Sequence, residues 1–557
     1  MNFEALKRFK CFSPVDASGV QSISRDTMSP FRRLVVSQIL EGISSEQAEN
    51  QVEFAGSDEL QADLKTSIAN LRSLLSPIHQ LPPELLINIF TFVCMPTWIV
   101  IDETPDILTL ISVCGRWRDV ILSTPSLWAN FRFEATAWLE KYVTNPRKDE
   151  GFLSRLVRAV RLFLERSQVA PLDLYFGLFN FDNEATPEMV DLLELVAGTR
   201  QRWKNVIFTF DEGFLDHPIS EQLSYPPPLA LESLTLVAFA DERLSREPLS
   251  LFKGFESCSS LKSLSLNLFV AQNWGSFSLP WRQITKLHVA SIGIPSLVKM
   301  LEGTPGLKKL TLSFILATPT PDTESKPVPA TLLLLEHLTL DHCTGVPSIL
   351  RHLTLPRLSK LFLSSHQTTE QWNNTHFTDF LERSSCMITH LRIGTSSGPG
   401  FEFLRLFPKL ESLQIEEGRS VVGPMDVKVS RMFTEAFLNQ IFELILTGHT
   451  SISTSPPYLL KLNALTLVYL GTAFEVDNLV NAVSRSLTPR RNHGTTGSST
   501  GSLQRRTLRL SIRIMLEGAR DSGNEAIPSM DLDVLYNLRD VSPEFDLRID
   551  VFRVRKE

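Results

Sequence analysis

A six-residue pattern of apolar, two variable, apolar, variable and apolar residues recurs nine times between positions 231 and 467. Examples are LESLTL, LKKLTL and LESLQI. The alternating apolar positions predict short β-strands with one buried face. The segments between the patterns, such as PSLVKMLEG and FTDFLERS, have the apolar spacing of helices. The chain is therefore expected to alternate strand and helix, with patterns that begin at Leu231, Leu261, Ile284, Leu307, Leu335, Leu358, Ile388, Leu410 and Leu462.

This repeated unit resembles the leucine-rich repeat, in which strand and helix units stack into a curved solenoid. The first eight patterns begin 22 to 30 residues apart, and the last interval is 52 residues. That interval contains FTEAFLNQIFELIL, which we interpret as a degenerate repeat or an insertion. The repeat lengths vary, and the Asn or Cys expected at the ninth position occurs only as Cys343. The resemblance therefore implies an irregular array.

Further strands and helices are predicted on both sides of these repeats. On the N-terminal side, FLSRLVRAVRLFLER and TPEMVDLLELVAGTRQRW have helical spacing, whereas PLDLYFGL and NVIFTF are strand-like. On the C-terminal side, MDLDVLYNL is helical, and TLRLSIRIM and FDLRIDV are strand-like. Residues 488–506 are rich in Gly, Ser and Thr and predict a flexible loop. We therefore assign residues 151–557 to an irregular leucine-rich-repeat-like α/β solenoid that contains this loop.

Three short helices are predicted within residues 79–133, at about residues 82–92, 104–114 and 116–122. The first two begin with a proline and an acidic residue, which suit a helix N-terminus: Pro83-Glu84 and Pro105-Asp106. Three short helices cannot bury this much apolar surface among themselves. We therefore expect the remainder to contact a partner or the next domain.

The same segment carries a series of unevenly spaced anchors: Leu81-Pro82-x-Glu84-Leu85-Leu86-x-x-Ile89-Phe90, Val113-Cys114-x-x-Trp117 and Pro125-x-Leu127-Trp128. They resemble the F-box, specifically its F-box-like variant. F-box domains bind the Skp-family adaptor of cullin-RING ubiquitin ligases. The resemblance implies that eight residues form this interface or the core beneath it: Leu81, Pro82, Leu85, Leu86, Ile89, Phe90, Val113 and Trp117.

The connection from Cys94 to Thr104 is longer than the short turn usual between the first two helices of that family. It affects the edge that would face the adaptor. An alternative interpretation is that the three helices only cap the repeats, because repeat arrays need capped ends.

The first 78 residues differ in pattern from the rest. Residues 1–57 have no sustained apolar period and are expected to be mostly disordered, with a transient helix near residues 31–40. Apolar residues at intervals of three or four then predict an amphipathic helix over residues 58–78. The chain as a whole is 43% hydrophobic, which excludes a mainly disordered protein.

Charge and cysteine content limit the class of protein. The net charge of −7 argues against a dedicated DNA-coating protein, so no nucleic-acid partner is expected. The six cysteines are scattered without a CxxC pair and predict reduced thiols in an intracellular protein, cytoplasmic or nuclear. No secretory signal is recognised, and Pro96 interrupts the apolar stretch at residues 85–101, so a membrane span is not expected.

No catalytic or metal-binding pattern rises above background. The sequence GSSTG at residues 497–501 fits the G-x-S-x-G hydrolase pattern, but it lies in the low-complexity loop. The spacing of His337, His342, Cys343 and His352 fits no zinc site. We therefore expect a protein that is not an enzyme and that holds no metal or cofactor.

Basic residues collect at the outward positions of the predicted strands. The third and fifth positions of each pattern alternate with the buried ones and are expected to line the concave face. On five successive strands these positions hold Lys286, His288, Lys309, His337, Lys360, Phe362, His390 and Arg392, with Phe362 as an apolar anchor. Clustered cations predict an acidic or phosphorylated target. The alternative is that they are ordinary solubility residues.

Together these patterns predict an α+β protein, with a short all-α three-helix F-box-like domain before an irregular α/β leucine-rich-repeat solenoid. The two resemblances imply a noncatalytic substrate-recognition subunit of an SCF-type cullin-RING ubiquitin ligase. In this interpretation the F-box binds the Skp-family adaptor and the repeats bind a target protein. The alternative is a ligase-independent protein–protein interaction scaffold.

Overall fold

The computed structural model describes residues 34–42, 72, 75–99, 104–134, 151–178, 186–211, 214, 223, 225–239, 254–268, 279–315, 329–343, 345–365, 374–395, 401–417, 419–421, 427–429, 434–446, 461–470, 508–517 and 545–554. The chain divides into two compact units, unit 1 (residues 1–234) and unit 2 (residues 235–557). The predicted loop at 488–506, most of residues 1–57 and most of the predicted 58–78 helix lie outside the described residues.

Only short parts of the first 78 residues are described. Residues 34–42 are helical, near the position of the helix expected at residues 31–40. Pro77–Gln80 forms a 3₁₀ turn, and Ser76 before it is extended, with φ −54° and ψ 134°. A residue that precedes proline is driven away from helical angles by the proline ring. Ser76, Pro77 and Ile78 are therefore not part of an α-helix.

Beyond the helix at residues 34–42, the described part of unit 1 combines α-helices with a parallel sheet. The helices are α1 (Pro83–Cys94), α2 (Asp106–Val113), α3 (Gly115–Leu122), α4 (Phe152–Arg166) and α5 (Pro187–Ala197). The strands are β1 (Thr97–Trp98), β2 (Asn130–Glu134), β3 (Leu172–Leu178) and β4 (Trp203–Asp211), and they pair in that order. The three helices predicted within residues 79–133 are confirmed, as are α4, α5, β3 and β4.

The core of unit 1 is aromatic. Side chains alternate across a strand, so β2, β3 and β4 each turn large rings to one face of the sheet. The ring of Phe176 lies 5.9 Å from that of Phe133 and 4.5 Å from that of Phe208. On the same side, α4 contributes Phe163, whose ring is 5.4 Å from that of Phe131. These rings are nearly or fully buried and hold the helices against the sheet.

The described part of unit 2 consists mainly of parallel strands, with helices between several of them. Strand β5 (Ser233–Phe239) crosses the boundary between the units. In the described part of unit 2 the helices are α6 (Ile294–Glu302), α7 (Val346–Arg351), α8 (Asn374–Ser384), α9 (Phe401–Leu404) and α10 (Glu435–Leu446). The sheet strands are β6 (Ser263–Leu268), β7 (Lys286–Ala290), β8 (Lys309–Ser313), β10 (His337–Asp341), β12 (Lys360–Ser365), β13 (His390–Thr395), β14 (Ser412–Glu417), β17 (Ala464–Leu470), β18 (Leu508–Glu517) and β19 (Phe545–Val554).

The strands predicted from the nine six-residue patterns are confirmed, and each begins at the third residue of its pattern. Neighbouring strands pair in the same register, so equivalent pattern positions form rows across the sheet. One buried row contains Leu287, Leu310, Leu338, Leu361 and Leu391. A long parallel sheet with helices agrees with the α+β class. A curved solenoid remains a prediction.

Two short strand pairs were not predicted. Strands β9 (Ala330–Thr331) and β11 (Leu353–Thr354) form a small parallel pair, and β15 (Arg419–Val421) and β16 (Val427–Val429) form an antiparallel pair. Strands of two or three residues are too short to show a recognisable apolar alternation.

Candidate functional site

Helices α1 and α2 begin where local sequence favours a helix start. Helix α1 starts at Pro83, which needs no hydrogen-bond acceptor for its nitrogen, and Glu84 lies in its first turn. Helix α2 starts at Asp106 after Pro105. Acidic side chains in the first turn interact favourably with the positive end of the helix dipole. The positions of α1 and α2 are thus fixed largely by local sequence.

One side of α1 is core. Leu86, Phe90 and Cys94 are buried, at the four-residue spacing of a single helix face. The ring of Phe90 lies 5.0 Å from that of Trp117 on α3. The buried guanidinium of Arg116 donates a hydrogen bond to the carbonyl oxygen of Leu81. These contacts fix α3 against α1.

The other side of α1 is apolar and exposed. Leu85 is 47% exposed, Ile89 40%, Phe92 93% and Val93 51%, and Val113 at the end of α2 is 55% exposed. We call these five residues the apolar face. A helix face spaced at i, i+4, i+7 and i+8 is normally turned toward a core or a partner. Exposed apolar surface of this extent is typical of an interaction site.

The eight residues that the F-box resemblance assigns to the adaptor interface differ in how deeply they are buried. Pro82, Leu85, Ile89 and Val113 are exposed, Leu81 and Trp117 are half-buried, and Leu86 and Phe90 are buried. The structure thus places half of them where a partner can reach them and two in the core beneath. Sequence reasoning missed Phe92 and Val93. Their signal was the continuation of the Leu85–Ile89 spacing by another turn.

The end of this segment is anchored within unit 1. Leu127 and Trp128 are buried, and the indole N–H of Trp128 donates to the carbonyl oxygen of Ile121 at 3.0 Å. The Trp128 ring lies 5.2 Å from Phe163 of α4 in an edge-on arrangement. The turn that follows α3 is therefore packed against α4.

The long connection after α1 contributes to the sheet. Thr97 and Trp98 form β1, which pairs in parallel with β2, and the N–H of Ile99 donates to the carbonyl oxygen of Arg132 at 2.8 Å. The Thr97 hydroxyl donates to the carbonyl oxygen of Cys94 at 2.6 Å, so the strand follows directly from the helix end. The extra length thus supplies a strand of the sheet. Residues 100–103 of this connection lie outside the described part.

A second candidate surface lies on unit 2, at the outward positions of the sheet. Lys286, Lys309, His337, Lys360 and His390 occupy equivalent positions on β7, β8, β10, β12 and β13 and pair residue to residue across the sheet. We call these five residues the cationic row. Lys286, Lys309, Lys360 and His390 are exposed and His337 is half-buried. Neighbouring strands are roughly 5 Å apart, so the row extends for roughly 20 Å.

The remaining predicted target residues lie in the next outward row, two positions further along the strands. His288 is half-buried, and its ring nitrogens lie 2.9 Å from Ser265 Oγ and 3.0 Å from Ser313 Oγ. Burial lowers the pKa of His288, Lys309 acts in the same direction and Asp341 opposes it. His288 is therefore mainly a neutral hydrogen-bonded side chain near pH 7, rather than a cation that is free to bind a target.

Arg392 and Phe362 contact each other. The guanidinium carbon of Arg392 lies 4.2 Å from the centre of the Phe362 ring, and its Nε donates to Glu416 Oε1 at 2.6 Å. Phe362 is half-buried, and this contact covers part of its ring. Acidic residues Asp341 and Glu416 lie near the C-terminal ends of β10 and β14, away from the cationic row.

Reactive groups are few on these surfaces. Cys94, Cys258 and Cys343 are buried free thiols, and burial raises the pKa of Cys258 to about 12. A thiol with so high a pKa is a weak nucleophile near neutral pH.

Among the described residues no group of three or more His, Cys, Asp or Glu side chains is arranged to hold a metal ion. None of the helices in the described ranges has the length and apolar character needed to cross a membrane.

Comparison with known proteins supplies one match. No curated protein matches the sequence. Residues 78–134 match the model of the F-box-like family, over the segment that contains α1 to α3, β1 and β2. The chain therefore carries an F-box-like domain at residues 78–134, a module that takes part in protein–protein interaction.

Proposed function

We propose that this protein is a noncatalytic substrate-recognition subunit of an SCF-type cullin-RING ubiquitin ligase. In this proposal the F-box-like domain binds the Skp-family adaptor and unit 2 binds a target protein. The observation that carries it is the exposed apolar face within the segment that matches the F-box-like family. An interaction module with an apolar side that its own unit leaves uncovered has the chemistry of a docking surface.

Burial supports this assignment to α1. Leu85 and Ile89 are exposed while Leu86 and Phe90, their immediate sequence neighbours, are buried. The helix therefore has one side for its own core and a second apolar side for a partner. In a helix that only capped neighbouring repeats, the second apolar side would be covered by those repeats. This contrast favours adaptor binding over the capping role.

We further infer that unit 2 is an irregular leucine-rich-repeat array that presents its outward strand positions to the target. The supporting observations are the strand at each six-residue pattern and the parallel register between neighbours. Lys286, Lys309 and Lys360 form no ion pair with any described residue, so their charges are available to an acidic or phosphorylated group. This favours target recognition over a purely solubilising role.

Adaptor binding is tested on the full-length protein by co-purification with a Skp-family adaptor. Replacing Leu85 and Ile89 together by Ser should abolish co-purification, because both remove exposed apolar contact area without opening the core. Val169→Ser is the matched control, since Val169 is an exposed apolar residue of unit 1 outside the apolar face. Failure of the unmodified protein to bind the adaptor would leave the ligase-independent scaffold as the better account.

Target binding is tested with proteins captured by the full-length chain. Lys309→Glu combined with Lys360→Glu should remove targets that depend on the cationic row, and capture should weaken as salt rises. Lys308→Glu is the control, because Lys308 is exposed and adjacent in sequence but lies outside the row. Targets that ignore both the double reversal and the salt concentration would show that the row does not recognise them.

A further inference from the structure

The three histidines at outward positions of the unit 2 sheet differ in their hydrogen bonds. Both ring nitrogens of His288 contact serine hydroxyls, and His390 Nδ1 lies 2.9 Å from the hydroxyl oxygen of Thr389. His337 forms no side-chain hydrogen bond with any residue in the described ranges. Both of its ring nitrogens are thus able to bind an added group, whereas His390 has only Nε2 without a hydrogen-bond partner among the described residues.

His337 lies between two lysines. It pairs with Lys309 of β8 on one side and with Lys360 of β12 on the other, in a continuous register. The two lysine backbones are roughly 10 Å apart, two strand spacings, and each ammonium group is carried on a flexible four-carbon stem. Both ammonium groups can therefore converge on an anion that lies over the His337 ring.

We propose that Lys309, His337 and Lys360 form a binding site for a phosphorylated side chain of the target. The proposal rests on the proposed function, because it takes the outward face of unit 2 as the target surface. A phosphoryl group carries a charge of roughly −1.5 to −2 and three acceptor oxygens. Two ammonium groups and one imidazole N–H match that charge and that number of acceptors.

Binding at this site is linked to protonation of His337. Burial lowers the pKa of free His337, and Lys360, Lys309 and His390 lower it further, whereas Glu336 opposes them. A bound dianion counteracts the two lysines, so the pKa of His337 rises and the ring takes up a proton. For an anion of constant charge, the affinity is therefore highest below the pKa of free His337 and falls as the pH rises from there through the higher pKa of the bound state.

The site is tested in the full-length protein with histidine ring NMR and three salts at equal ionic strength: phosphate, sulfate and chloride. Sulfate is included because its charge does not change near neutral pH, whereas phosphate itself titrates there. The His337 signal is assigned as the one that is lost in His337→Gln. Phosphate and sulfate should shift this signal saturably and raise the pKa of His337, and chloride should do neither.

Three substitutions complete the test. Lys309→Ala and Lys360→Ala should each abolish the saturable shift, while Lys308→Ala should retain it. An equal shift in chloride, or a shift that survives both row substitutions, would overturn the site. The adaptor co-purification of the same variants separates the two proposals. If the unmodified protein binds the adaptor but its His337 signal does not respond to phosphate or sulfate, only this site is rejected. If the unmodified protein does not bind the adaptor, the proposed function is rejected.

Discussion

Arg392 lies over the ring of Phe362, with its guanidinium carbon 4.2 Å from the ring centre. Glu416 accepts a hydrogen bond from the same guanidinium, although 24 residues separate it from Arg392. Arg392 partly covers the Phe362 ring, and Glu416 compensates the positive charge of Arg392. Among the predicted target-binding residues, Lys286, Lys309 and Lys360 are thus the ones with strong positive charge and no carboxylate partner in the described ranges.

This contact predicts a weak effect of Arg392 on both stability and binding. Arg392→Gln should change the free energy of unfolding by less than about 1 kcal/mol, because exposed ion pairs and cation–π contacts contribute little. It should weaken target capture less than Lys309→Gln, which removes an uncompensated charge. Urea unfolding and capture assays on both variants check this. A larger loss of capture in Arg392→Gln would show that the target displaces Glu416.

The buried leucine row predicts a large effect on stability. Leu310→Ala and Leu338→Ala should each reduce the free energy of unfolding by about 2–5 kcal/mol, because both side chains are buried and a cavity remains. Thr339→Ala, at the adjacent outward position of β10, is the control and should have a much smaller effect. Equal melting temperatures for all three variants would contradict the observed burial.

Helix α1 offers two phenylalanines with opposite environments. Phe90 is buried and Phe92 is 93% exposed. Phe90→Ala should reduce the free energy of unfolding by about 3–5 kcal/mol, because it removes the ring contact with Trp117 and leaves a cavity. Phe92→Ala should leave stability nearly unchanged and weaken adaptor binding. Thermal melts paired with co-purification distinguish the two, and destabilisation by Phe92→Ala would place this residue in a core instead.

The lowered pKa of His288 predicts that the stability of the protein depends on pH. Burial lowers its pKa in the folded state below the unfolded value of roughly 6.5. The contribution of neutral His288 to the free energy of unfolding is fully present above that unfolded pKa. The contribution is lost as the pH falls from it through the lowered folded pKa, because the unfolded chain then takes up a proton that the folded chain does not.

The measurement is urea unfolding of the wild type and of His288→Gln between about pH 7.5 and pH 5. Gln keeps a hydrogen-bonding group beside Ser265 and Ser313 but does not titrate. The variant should lose less stability than the wild type over this range. Identical pH dependence of the two proteins would mean that His288 titrates alike in the folded and unfolded states.

The sequence by itself determined the strands of the nine six-residue patterns and their register. Each six-residue pattern carries its own apolar alternation, and a parallel sheet of equivalent patterns places equivalent positions side by side. The alignment of Lys286, Lys309 and Lys360 in the cationic row therefore follows from their shared position in the pattern. Likewise, Pro83 and Pro105 locate helix starts through purely local chemistry.

Only the tertiary structure decided which side of each helix is covered and which charges are paired. Leu85 and Leu86 are the same residue type at adjacent positions, and the packing of α1 within its unit exposes one and buries the other. Glu416 reaches Arg392 because β13 and β14 are neighbours, and the extra residues before Thr104 become β1 because β2 offers a free edge. Such contacts join residues far apart in the chain. They depend on how whole elements pack, which the local apolar period does not encode.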